Sequence, residues 1–122
     1  ARTIPQMKFD IIAGAANNQL ETLEDDDRLA EKDILYTPDY ALNAGGVIAV
    51  GYEYFENSGH NPFSHALTRE NMMAHVEKIE STLDKIFNIA EAKNLTPGRA
   101  ADQLAEAIFT GETVREKSSG AA

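Results

Sequence analysis

Two short apolar runs, each closed by a turn of small and polar residues and separated by one helix-sized stretch, constrain this chain more than any other feature. The first is Phe9-Asp10-Ile11-Ile12-Ala13-Gly14 and the second Asp33-Ile34-Leu35-Tyr36. β-Branched residues in runs this short predict buried strands. Gly14 and the turn Ala16-Asn17-Asn18-Gln19-Leu20 close the first run; Thr37-Pro38-Asp39 closes the second, since proline disfavours helix in the residue before it. The stretch from Glu21 to Lys32 is acidic, with Asp25, Asp26 and Asp27 ahead of Leu29-Ala30, where carboxylates complement the positive end of a helix. We expect those carboxylates to be a solvated helix start. Strand, helix, strand in this order implies parallel pairing through a crossover helix, as in half of a doubly wound α/β sheet.

Beyond the second run, Asn43-Ala44-Gly45-Gly46-Val47 marks a tight turn or close backbone packing, and Ile48 to Phe55 reads as a buried helix. Asn57 to Ser64, with Gly59 and Pro62, is a loop. From Thr68 to Lys93 apolar residues recur at Met72, Val76, Ile79, Leu83, Ile86 or Phe87, and Ala90, one face of a long amphipathic helix that stops at Asn94. Thr96-Pro97 reads as an N-cap with proline at the first helical position. The last helix carries an inner stripe of Ala100, Ala101, Leu104 and Ile108 and ends at Gly111. The expected organisation is residues 1–57 as one α/β unit, 58–67 as a loop, 68–111 as two C-terminal helices and 112–122 as a tail.

Charge and composition remove several function classes. The 122 residues carry 20 acidic and 11 basic side chains, a net charge of −9, and the basic residues are scattered singly from Arg2 to Lys117. A nucleic-acid partner is therefore not expected. Cysteine is absent, which excludes disulfide scaffolds, thiol catalysis and cysteine-ligated zinc; it fits a reducing, cytoplasmic setting, and equally a secreted protein without bridges. No run approaches the roughly 18 apolar residues that span a bilayer. The opening Ala1-Arg2-Thr3-Ile4-Pro5 has no signal core and no initiator Met, so the chain reads as part of something longer. His60, His65 and His75 match no metal-binding spacing and are expected on the surface or in loops; no metal site is expected. No serine lies in a nucleophile motif, and there is no GxGxxG and no GxxxxGK[ST].

In open α/β sheets ligands bind beyond the carboxyl ends of the strands. Two small-residue turns stand there: Gly14-Ala15-Ala16-Asn17-Asn18, and Pro38 to Gly46 with Asn43 at its centre. Such turns let a flat ligand approach the backbone, and asparagine amides both donate and accept; equally, turns of this composition are often only turns.

These turns carry a resemblance. Thr3-Ile4-Pro5-Gln6, IIAGAANNQL from Ile11 to Leu20, and LYTPDYALNAGGVIAV from Leu35 to Val50 resemble the glutamate/leucine/phenylalanine/valine dehydrogenase superfamily, most closely its leucine dehydrogenase branch, over roughly residues 2 to 55. The resemblance implies a fold and a reaction. The chain would be the C-terminal half of a Rossmann-like doubly wound NAD-binding domain followed by two C-terminal helices. The reaction would be oxidative deamination of an L-amino acid with NAD to a 2-oxo acid, ammonia and NADH. It also implies partners: an N-terminal substrate domain upstream and a homo-oligomer in the intact enzyme. The family's catalytic lysines and aspartate match nothing here, so no catalytic residue is expected in this chain. What transfers is Asn17 with Ala16 at the nicotinamide ribose, Asn43 reaching both nicotinamide and substrate, and Val47 and Val50 lining the substrate side-chain pocket.

Two valines favour an aliphatic guest, leucine first, with valine and isoleucine poorly discriminated because one methylene is worth only about 1–3 kcal/mol. A second carboxylate, as in glutamate, would need a hydroxyl or cation that this pair does not supply. Residues Gly51 to Ser64 depart from the family's form. The competing readings are a non-catalytic module that packs or binds a dinucleotide-like ligand, and a phenylalanine, valine or glutamate dehydrogenase of the same superfamily.

Overall fold

In the computed structural model, which describes residues 3–111, the two apolar runs pair side by side as a parallel two-stranded sheet, as their order requires. Strands β1 (Ile11–Ile12) and β2 (Leu35–Tyr36) align Ile11 with Leu35 and Ile12 with Tyr36. Bonds from the Leu35 amide to the Asp10 carbonyl (2.8 Å) and from Thr37 to Ile12 (2.9 Å) extend the ladder past both ends. The strands are shorter than the apolar runs and not buried on both faces. Pleating sends alternate residues to opposite faces: Ile12 and Tyr36 join Ile4, Leu29 and Ile34 in one core cluster, whereas Ile11 and Leu35 are 59% and 40% exposed. Only one face of the sheet has a covering layer among the described residues.

Between the strands runs α1 (Glu24–Ala30), the expected crossover helix. Its acidic start is not solvated. Asp25 and Asp26 are each 1% exposed, and Asp26 and Asp27 meet partners far along the chain. Asp26 Oδ2 accepts from the Gly98 amide at 2.8 Å, and Asp27 takes the Arg99 guanidinium in two bonds of 3.0 and 2.7 Å. Asp25 pairs with Arg28 at 2.6 Å. The pair partners leave their mark on protonation: Arg28 draws the Asp25 carboxyl below its ordinary range and Arg99 does the same to Asp27, while burial pushes Asp26 up. Both Gly98 and Arg99 belong to the first turn of α5 (Pro97–Thr110). Thr96 stands at the N-cap position as expected, yet its side chain makes no capping bond. A carboxylate from another helix accepts the free amide instead.

After β2 the chain makes a short helix, α2 (Asp39–Leu42), not foreseen from the turn composition, then α3 (Ala44–Ser58) and α4 (Arg69–Lys93). The caps of α4 follow the sequence signals. Thr68 Oγ1 accepts from the Asn71 amide at 3.2 Å, and Asn94 closes the helix in the left-handed region at φ 52°. The α4–α5 pair forms the second core cluster, Ile86, Ile89, Ala90, Ala100 and Ala101, with Ala41, Leu83 and Leu104 against it. Small side chains at 100 and 101 let the two helices come close. The far end of the expected inner stripe lies outside: Ile108 is 73% exposed. Gly111 ends α5 at φ 73°, in the left-handed region that glycine tolerates. The expected tail, 112–122, lies outside the described residues.

α3 is not the buried helix its apolar composition suggested. Gly45 turns toward α4, where a Cβ would stand 3.7 Å from Val76 Cγ1 and 3.9 Å from Ile79 Cδ1. Of its side chains only Tyr52 is buried. Val47, Val50 and Tyr54, at i, i+3 and i+7, form an outward stripe, 78%, 66% and 65% exposed.

Candidate functional site

The two turns at the carboxyl ends of β1 and β2 meet. Asn43 Nδ2 donates to Asn17 Oδ1 at 2.5 Å, joining side chains that lie 26 residues apart. Ala16 and Asn17 are exposed and Asn43 is half-buried. Among the described residues this bond spends one acceptor of Asn17 and one donor of Asn43. It leaves Asn17 its amide donors and Asn43 its amide oxygen. The pair thus offers a donor and an acceptor next to each other, the complement of a carboxamide or a ribose hydroxyl. A nicotinamide nucleoside presents both, so the residues present fit that group.

Each asparagine is held by backbone geometry as well. The first turn is closed from within: Gln19 Nε2 donates to the Gly14 carbonyl at 3.1 Å and to the Ala16 carbonyl at 3.0 Å. Asn18 takes the left-handed conformation, φ 52°, that reverses the chain there. At the other turn, the Asn43 amide donates to the Asp39 carbonyl at 2.8 Å, ending α2. Asn43 also caps the N-terminus of α3, so the exposed stripe of Val47 and Val50 starts one turn beyond the asparagine pair. Asn43, Val47 and Val50 thus follow one side of α3 from its N-cap position, and Asn17, with Ala16 next to it in sequence, meets that end through the Asn43 bond. Polar side chains sit at one end and apolar ones at the other.

Sequence reasoning gave no role to one residue of the second turn. Asp39, 6% exposed, accepts the Gln19 amide on Oδ2 at 3.2 Å and the Tyr40 amide on Oδ1 at 2.8 Å. Its own amide donates to the Tyr36 hydroxyl at 3.3 Å. The nearest available signal was an Asp immediately after a Pro that ends a strand, which marks a helix start and nothing more. Tyr40 beside it donates to Asp102 Oδ1 at 3.1 Å and ties α2 to α5, and burial pushes its phenol above the ordinary range.

The histidines are not three unrelated surface residues. His60 and His65 do lie exposed in the loop after α3, but His75 is half-buried on α4. All three gather around an aromatic cluster. His65 Nε2 shares a 2.7 Å hydrogen bond with the Tyr52 hydroxyl and stacks on Phe63 at 5.2 Å; His75 meets both Tyr52 and Phe63 edge-on at 5.9 Å; His60 meets Phe55 at 6.0 Å. No group of three or more potential ligands is placed to hold a metal ion among the described residues. No helix among them is long and apolar enough to cross a membrane.

The sequence profile of the family described as Glutamate/Leucine/Phenylalanine/Valine dehydrogenase matches residues 1–110. Leucine dehydrogenase from Geobacillus stearothermophilus is 41% identical over 115 residues, 94% of this chain and 28% of that protein. L-tryptophan dehydrogenase from Nostoc punctiforme is 44% identical over 107 residues, 87% of this chain and 28% of that protein. A crystal structure of L-tryptophan dehydrogenase from Nostoc punctiforme superposes with a TM-score of 0.75 at 42% identity, covering 91% of this chain and 30% of that one. The chain thus spans less than a third of the length of these relatives. Over that span, the chain belongs to the glutamate/leucine/phenylalanine/valine dehydrogenase family.

Proposed function

We propose that this chain forms the nicotinamide side of the active site in an NAD-dependent amino-acid dehydrogenase that oxidatively deaminates branched-chain L-amino acids, leucine first. The two-stranded parallel sheet and its crossover helix would be the second half of a Rossmann-like domain, completed by an upstream substrate domain within a homo-oligomeric enzyme. The observation that carries the reading is the asparagine pair, Asn17 and Asn43, standing one helical turn from an exposed valine stripe. An amino acid has the same division: polar groups at the α-carbon and an apolar side chain leading away.

Within this reading Asn17, beside Ala16, binds the ribose and carboxamide region of NAD, which supplies the hydride acceptor when bound. Asn43 orients the α-carbon end of the substrate toward it. The amino acid, NAD⁺ and water give a 2-oxo acid, ammonium, NADH and a proton. Val47 and Val50 exclude water from the substrate side chain; their exposure in this chain is what residues awaiting an apolar guest and the facing wall of a cleft would show. The test is production of the intact protein containing this chain, with NADH formation followed from leucine, valine, phenylalanine and tryptophan. A protein that reduces NAD with none of them refutes the assignment.

Val50→Ala is the sharper measurement. The lost contact amounts to about two methylenes, roughly 1–2 kcal/mol, or about 5- to 30-fold in kcat/KM for leucine. Phenylalanine should lose less, or gain, because volume opens for its ring. A core valine would instead leave a cavity and lower Tm. At 66% exposure Val50 is not core within this chain, so Tm should barely move. Unchanged substrate ratios with a lowered Tm would remove Val50 from the pocket.

A further inference from the structure

We infer that Asp39 is a positioning residue for the two asparagines, acting with Gln19 as the frame of the site. This deepens the function proposed above and rests on it. The hydrogen bonds form a closed circuit. The Asp39 carboxylate accepts the Gln19 amide at 3.2 Å, and the Gln19 side chain pins the Gly14 and Ala16 carbonyls at 3.1 and 3.0 Å, fixing the turn that presents Asn17. Asn17 accepts from Asn43, and the Asn43 amide returns to the Asp39 carbonyl at 2.8 Å. One residue therefore anchors both turns, one through its side chain and the other through its backbone.

The carboxylate cannot leave this arrangement easily. Asp39 is buried, both of its side-chain oxygens are engaged, and its own amide is tied to the Tyr36 hydroxyl at 3.3 Å. Asparagine at this position has one acceptor oxygen where the carboxylate has two, so one of the two amides loses its partner. If the Gln19 amide is released, the turn bearing Asn17 drifts relative to Asn43. Displacements near 1 Å at a substrate-orienting group cost about 100-fold in rate. Gln19 contributes from the other end, by keeping the turn closed on itself.

The experiment is a double-mutant cycle in the intact protein, measuring kcat and KM for leucine and for NAD in wild type, Asp39→Asn, Asn17→Ala and the combination. Asp39→Asn should lower kcat/KM by about 10- to 100-fold. The double variant should be no worse than the more damaging single, because the Asp39 carboxylate acts through the Asn17 side chain that the second change removes. Multiplicative losses, or an unaffected Asp39→Asn, overturn the inference. Gln19→Leu provides a second cycle with Asn17→Ala, with the same expectation, should Asp39→Asn fail to fold. Independently of turnover, NMR of the side-chain amides should show the Asn17 and Asn43 signals shifted in Asp39→Asn and in Gln19→Leu. Unmoved signals overturn the positioning role. A wild-type protein that turns over no amino acid removes the proposed reaction instead, while the amide signals still decide whether Asp39 holds the pair.

Discussion

Purified on its own, the 122-residue chain should form no NADH from leucine and NAD. Oxidative deamination needs a group to take a proton and a cation to clamp the substrate carboxylate, and the asparagine–valine surface supplies neither. The titratable residue closest in the hydrogen-bond network is Asp39, whose oxygens are committed to the Gln19 and Tyr40 amides. Lys32 donates to the Pro5 carbonyl at 2.8 Å and Lys93 to Gln103 at 2.8 Å, while Lys78 and Lys85 belong to α4. Acid–base catalysis alone is worth about 10²- to 10⁴-fold and positioning of reactants as much again or more, so their joint loss puts turnover below detection. NAD binding should be weak for a related reason. Pyrophosphate recognition rests on a glycine-rich turn at a helix N-terminus, which this sequence lacks, so calorimetry should find a Kd no tighter than about 1 mM. Leucine-dependent, saturable NADH formation by the chain would sink this expectation.

The largest effect on stability is expected from Gly98→Ala. A Cβ on Gly98 would stand 2.6 Å from Asp26 Oδ2 and 3.5 Å from its Cγ, well inside contact distance. The carboxylate is 1% exposed and has no solvent to swing into, so it must abandon the Gly98 amide. Overpacking together with an unpaired buried acceptor costs roughly 2–4 kcal/mol. Urea unfolding measures this directly; a loss below about 1 kcal/mol would mean that α1 and α5 separate without resistance. Asp26→Asn is the informative companion, since its amide oxygen still accepts from Gly98 while the charge is gone. Burial raises the Asp26 carboxyl above its ordinary range. Its native state binds the proton more tightly than the unfolded chain does, so its contribution is fully present below the ordinary value and is lost as pH rises through the raised one. Asp25 and Asp27, held low by Arg28 and Arg99, contribute in the opposite sense: present above the ordinary value and lost as pH falls through the lowered ones. Relative to wild type, Asp26→Asn should therefore gain stability as pH rises above the ordinary aspartate range. A difference independent of pH would reject that account.

What could be read in the sequence was local. Caps at Thr68, Asn94 and Gly111 and the parallel pairing of two short strands depend on neighbouring residues and chain order, and the structure follows them. What escaped depends on distant partners. Nothing near Asp26 announces that the Gly98 amide arrives to donate to its carboxylate. The valine stripe shows the same limit from the other side: periodicity identifies Val47 and Val50 as apolar, but whether an apolar face is covered depends on what else is present. The site was legible to the extent that its residues sit in two recognisable turns. Asp39, which joins them, was hidden because the bond that makes the join, from the Gln19 amide, spans 20 residues and exists only in the folded chain.

The bond between Asp26 and the Gly98 amide spans 72 residues. The first turn of α5 thus depends on a partner that must be brought back across most of the chain, and the entropy of closing that loop falls on a single docking event. In the unfolded and partly folded ensemble the Gly98 amide is open to solvent however helical the rest of α5 has become. Its hydrogen-exchange rate therefore reports the opening of the α1–α5 contact rather than helix fraying, a one-residue gauge of when the two ends of the fold come apart.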